Sequence, residues 1–189
     1  MKKTFFQKTY NLISYLLFFG LISFILSFAF NLLVKLFGDF DIPFFDSAII
    51  TIQDKLSLLG NYTSQISIIL FLVAVSLLII ELSQRIINDS ILNYFKSVYQ
   101  TIRLRQFLRQ DEKSESAITI DNQTTITKFN PILKNFNQTL GKATVDVRKN
   151  SVSVFLKYPR TQQAQKLLRD MEAHIKEEIS SRNPNYYFS

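Results

Sequence analysis

The sequence predicts an α+β protein with transmembrane helices: a two-span helical hairpin followed by a small ferredoxin-like domain of βαββα order, with a possible sixth element that would make it βαββαβ. Three observations carry this. Residues 12–34 and 66–80 are apolar stretches, and no charge lies between Thr9 and Val34 or between Leu56 and Ile80. A bilayer core needs about 20 apolar residues as helix, which each stretch supplies with its uncharged flanks. Core helices of soluble domains are rarely apolar all round for so long. Beyond the stretches the apolar period changes, from helical spacing at 131–140 to strict alternation at 143–157 and back to helical spacing at 161–179.

Four regions follow: a basic N-terminus (residues 1–10), the hairpin (11–83) with an acidic external loop (38–64), a basic juxtamembrane helix with its linker (84–116), and an α/β domain (117–189). Net charge is +7, unevenly placed. Lys2, Lys3 and Lys8 precede the first span, and Arg85, Lys96, Arg103 and Arg105 follow the second. The loop between them carries Asp39, Asp41, Asp46 and Asp54 against Lys55. Basic residues stay on the cytoplasmic side of short membrane segments, so both termini are expected in the cytoplasm and the acidic loop outside. A cleaved signal peptide would end its apolar run on small residues, whereas this run continues through Phe28, Phe30, Leu32 and Leu33.

In the first span Gly20, Ser23, Ser27 and Asn31 recur at spacings of three or four and share one helical face. Small and hydroxyl residues let membrane helices approach closely. The stripe is expected to pack on the second span through Ser67 and Ala74, with self-association or a foreign helix as the alternatives. In the loop, Asp46 or Ser47 caps a short helix that Gly60 stops. With Phe40, Ile42, Phe44 and Phe45, that helix is expected to lie in the outer interface.

After Glu81 the helical period continues over 86–109, with Ile91, Phe95, Val98 and Ile102 as its apolar face and Lys96, Arg103, Arg105 and Arg109 as its charge. Such a helix meets anionic lipid head groups or nucleic-acid phosphates. Proximity to the span already accounts for the charge, so these four basic residues are read as lipid-facing. Residues 111–116 form a polar linker, and 117–128 read as one strand or as a hairpin broken at 121–123. Asn130 caps a helix with Pro131 in its first turn, buries Ile132, Leu133, Phe136 and Leu140, and stops at Gly141. Val145 and Val147 face one way, as do Val152, Val154 and Leu156, across a turn at Asn150 and Ser151. Thr161 caps a last helix whose inner side is Ala164, Leu168, Met171, Ile175 and Ile179. Tyr186, Tyr187 and Phe188 form either a closing strand or a surface presented to a partner. The outward side of the hairpin, with Arg148, Phe155 and Lys157, is the second candidate docking surface, where a sheet edge accepts a partner strand.

Without cysteine, disulfides, thiolate metal sites and cysteine nucleophiles are excluded. His174 alone cannot build a zinc site and is expected to be solvated. The four glycines are too dispersed for a phosphate loop, and Glu177 and Glu178 lie on an exposed helix face. No nucleophile, base and orienting group can be assembled. The expectation is a non-enzymatic protein without cofactor or metal.

Two spans, a short loop, a cytoplasmic helix and a small α/β unit together resemble the N-terminal part of FtsK/SpoIIIE-type DNA translocases and conjugative coupling proteins. Within the α/β unit, Leu133-Lys-Asn-Phe-Asn-Gln-Thr-Leu140-Gly141, then Ala143-Thr-Val-Asp-Val147 and Val152-Ser-Val-Phe155, are similar in pattern to the subdomain that precedes their motor. The nucleotide-binding lysine and metal-binding acid of that motor have no counterpart here. The resemblance therefore implies a detached membrane module in a DNA-transfer or type IV secretion machine, docking a P-loop ATPase or another protein of the machine. The competing expectation is a two-span effector or sensor of a defence, toxin or signalling system.

Overall fold

A computed structural model of the chain describes residues 3–38, 46–112 and 130–186. The expected strand or hairpin at 117–128, the loop residues Phe40, Ile42, Phe44 and Phe45, and Tyr187 and Phe188 lie outside the described residues. Two compact units are present: Lys8–Ser83, and Gln84–Ser189 joined by Met1–Gln7.

The first unit is built on α1 (Phe5–Gly38) and α2 (Asp46–Asn88). Both are long and apolar enough to cross a membrane, and only 11% and 17% of their most apolar windows are buried, unlike the core helices of a soluble protein. They pack through reciprocal hydrogen bonds. Ser27 Oγ donates to the Gly60 carbonyl (2.9 Å), and Ser67 Oγ donates to the Gly20 carbonyl (3.0 Å). The expected stripe is thus engaged by the second helix of the same chain. Ala74 is fully buried and Ser23 half-buried, while Asn31 stays exposed.

Gly60 does not stop a helix, contrary to expectation, because α2 runs straight through it. Its missing side chain is used for close approach instead: a Cβ there would lie 3.1 Å from Asn31 Oδ1 and 3.4 Å from Phe30 Cβ. Gly60→Leu must therefore part the two helices and is expected to cost about 1–3 kcal/mol as overpacking. Ser27→Ala, which removes one interhelical hydrogen bond, is expected to cost about 0.6 kcal/mol. Unfolding of both variants in one detergent checks the order.

The second unit contains α3 (Ile91–Leu108), α4 (Pro131–Leu140), β1 (Thr144–Arg148), β2 (Ser151–Phe155), α5 (Gln162–Asp170) and α6 (Glu172–Arg182). The strands pair antiparallel, with Val145 opposite Val154 and Val147 opposite Val152. The turn falls on Lys149 and Asn150, one residue earlier than the alternation suggested. Asn130 caps α4 as expected, accepting from the Ile132 and Leu133 amides (3.0 and 3.4 Å), with Pro131 next to it. The core joins Leu104 and Leu108 of α3 to Phe136, Leu140, Val145, Val147, Ala164, Leu168, Ile175 and Ile179.

Three expectations fail here. The last helix is broken at Met171 into α5 and α6, and Thr161 makes no side-chain cap. More consequential, α3 is not a juxtamembrane appendage ahead of a domain that begins at 117. It is part of the core, and it faces the other way round. Ser97, Gln100, Thr101, Leu104 and Leu108 are its buried side, whereas Ile91, Phe95 and Ile102 are exposed.

Candidate functional site

The reversal of α3 has a cause in backbone chemistry. A strand edge presents alternate N–H and C=O groups that need partners, and α3 supplies them with side chains. Thr101 Oγ1 accepts from the Val145 amide (3.0 Å) and donates to its carbonyl (3.3 Å). Ser97 Oγ accepts from the Val147 amide (2.9 Å) and stands 3.3 Å from its carbonyl. Arg105 Nε donates to the Ala143 carbonyl (2.8 Å). Four helical residues rise about 6 Å and two strand residues about 6.6 Å, so residues four apart on α3 meet residues two apart on β1. The helix takes the place of a third strand.

The opposite face of the hairpin carries a buried ionic cluster. Arg85, in the last turn of α2, is fully buried and pairs with Asp146 on β1 and with Asp89 (2.9 Å), and it donates to the Val147 carbonyl (2.7 Å). Burial works against ionisation of Asp89. Hydrogen bonds from the Asn93 amide, the Lys149 N–H and Arg85 outweigh it and hold the carboxyl below its usual range. Thr4 and Gln7 form a reciprocal capping box at the start of α1 (3.2 and 3.3 Å). From there Gln7 Nε2 donates to the Ser153 carbonyl and hydroxyl (3.2 and 3.0 Å). Phe6, almost wholly buried, meets Tyr94 edge to face at 5.8 Å.

The predicted docking residues that are described, Arg148, Phe155, Lys157 and Tyr186, are therefore not together on an open face. Arg148 and Phe155 sit at opposite ends of the ladder, since Arg148 pairs with Ser151 and Phe155 with Thr144. Arg148 Nε binds Asp146 (3.0 Å), and its carbonyl accepts from the Tyr186 hydroxyl (2.8 Å). Tyr186 is a pin rather than part of a strand. The Phe155 ring lies under the Lys3 ammonium (3.9 Å to its centre), and Lys157 is exposed. The face read as outward is covered by Lys3, Gln7 and Arg85. Among the four basic residues expected at lipid, Lys96, Arg103 and Arg109 are exposed, and Arg105 is half-buried and given to β1. Arg103 also donates to the Tyr99 hydroxyl (3.2 Å) and holds that phenol below its usual range.

Among the described residues, one sheet edge is left over. Because Val145 and Val147 spend their backbone groups on α3, Thr144, Asp146 and Arg148 are the residues that bond to β2. On β2 their partners are Phe155, Ser153 and Ser151. The backbone groups of Val152 and Val154 then point away from β1, and no partner for them is found among the described residues. A shallow cleft of about 440 Å³ between α3 and α4 is lined by Arg105, Arg109, Glu112 and Asn137. Asn137 already bonds to Gln110 and Glu112 there. His174 is exposed, and Glu178 is bound to Arg182. Among the described residues no group of three His, Cys, Asp or Glu is placed to hold a metal.

Sequence reasoning missed Ser97 and Thr101, although Asn93, Ser97, Thr101 and Arg105 recur every fourth residue. It also missed the capping box of Thr4 and Gln7, whose spacing was readable. Compared with known proteins, the chain matches no family model, no curated protein and no solved structure.

Proposed function

We propose that the chain is a non-enzymatic membrane adaptor. Its two spans anchor it in a bacterial inner membrane with both termini cytoplasmic, and its α/β unit docks a cytosolic protein by strand addition. The observation that carries this reading is the edge of β2, unpartnered among the described residues at Val152 and Val154. An extended peptide there would gain main-chain hydrogen bonds, with specificity from side chains at alternate positions. Exposed Lys157 and Tyr158 follow the end of the same strand. The succession of α4, β1, β2 and α5 supports a ferredoxin-like order for the unit.

The resemblance to the N-terminal part of DNA translocases and coupling proteins supplies the partner, a P-loop ATPase or DNA-processing protein of a DNA-transfer machine. Tagged chain extracted in mild detergent is expected to bring down such an ATPase encoded nearby, and deletion of its gene to stop DNA transfer without slowing growth. Val152→Pro removes an outward N–H while sparing the bonds to β1, so it is expected to reduce capture at least tenfold with the circular dichroism unchanged. Intact DNA transfer after deletion, or depolarisation of the membrane on expression alone, would replace the adaptor with a two-span effector.

A further inference from the structure

From Ile91 to Ile102 the exposed side of α3 is apolar, and exposed Gln106, one turn further on, is the polar residue in the same arc. Ile91, Leu92, Phe95, Tyr99 and Ile102 are between 43% and 69% exposed, and at about 100° per residue they fall within an arc of about 100°. Ile86 and Ile87, in the last turn of α2, are exposed beside the start of α3. A soluble surface helix has the opposite arrangement, with its polar side to water. The polar side of α3 cannot be turned outward, because Ser97, Thr101 and Arg105 hold the edge of β1.

We propose that this face of α3 lies in the interface of an anionic bilayer. Three observations choose lipid over another protein. First, α3 begins after only Asp89 and Ser90 from the end of α2, the second of two helices apolar enough to cross a membrane, so the face is tethered within reach of the bilayer surface. Second, the charges sit at the margins of the stripe: exposed Lys96 and Arg103 flank it on one side and Arg105 on the other, so the stems of Lys96 and Arg103 can lie on apolar surface with their cations at head groups. Third, α3 contains no carboxylate to oppose a negative surface, and Tyr99 has the amphipathic ring that suits the head-group level. The placement stands without the adaptor reading. It bears on it in one respect: in the order α3, β1, β2, the edge of β2 that is unpartnered among the described residues is turned away from the lipid.

The chain has no tryptophan, which makes Phe95→Trp a single reporter. The full chain is reconstituted in vesicles of phosphatidylcholine with phosphatidylglycerol, with and without bromine on the upper acyl chain. Phe95→Trp is expected to emit at short wavelength and to be quenched at least twofold by the brominated lipid. Lys176→Trp, on an exposed position of α6, is expected to emit as in water and to be unquenched. Tyr99→Trp repeats the measurement, so a folding defect at one position does not decide it. Emission unaffected by bromine at both positions overturns the proposal, and a blue-shifted signal that grows with protein density identifies a second copy as the occupant instead. Equal quenching in neutral and anionic vesicles overturns the role given to Lys96 and Arg103. Their joint replacement by glutamine is expected to abolish the difference between the two lipids.

Discussion

Asp146→Ala is expected to destabilise the second unit by about 3 kcal/mol, the lower part of the range for taking away a buried charge's partner. Arg85 is fully enclosed, and Asp146 beside it is equally inaccessible. Removing the carboxylate takes one ion partner from the guanidinium, which keeps Asp89 and the Val147 carbonyl among its contacts in a site that water does not reach. The lower value follows from the surviving Asp89 contact. Arg148 also loses a partner, but it is partly solvated, so its share is about 0–1 kcal/mol. Arg148→Ala is thus the matched control. Urea unfolding of the full chain in micelles, followed by circular dichroism, separates the two. A loss no greater than that of Arg148→Ala would mean that the Arg85 cluster does not hold the unit together.

What could be read from the sequence was what composition or local chemistry decides. The two long apolar helices were legible because uncharged length is a compositional requirement of a bilayer. The cap at Asn130 and Pro131 and the valine alternation of the hairpin were legible because each is settled within a few residues. Gly60 was misread because a glycine after an apolar turn signals either a stop or a close approach, and only the neighbouring helix decides which. The break at Met171 had no local signal, since the apolar spacing runs through it without glycine or proline. On α3 the expected inward face was the apolar one. The unpaired edge of β1, more than 40 residues away in sequence, imposed the reverse. Arg148 and Phe155, read as outward, are engaged within the unit for a related reason: the side of the hairpin that alternation leaves polar is covered by the first turn of α1 and the last turn of α2.

Ser97→Ala combined with Thr101→Val tests that reversal directly. Both side chains are fully buried, and valine nearly matches threonine in shape, so packing changes little. What is lost is the acceptor for two amides, Val145 N–H and Val147 N–H, which have no water to turn to. Each buried donor left unsatisfied costs about 1–3 kcal/mol, so the pair is expected to cost about 2–6 kcal/mol. Thr101→Ser keeps the hydroxyl and is expected to lose no more than about 1 kcal/mol, the contribution of a methyl group. Amide hydrogen exchange supplies the local readout. In the double variant the amides of Val145 and Val147 are expected to exchange faster than those of Asp146 and Arg148, which the ladder to β2 still protects. If all four amides slow or quicken together, the hydroxyls are not what seals the edge of β1. If stability also stays within about 1 kcal/mol of the parent, the helix is held by Leu104 and Leu108 alone.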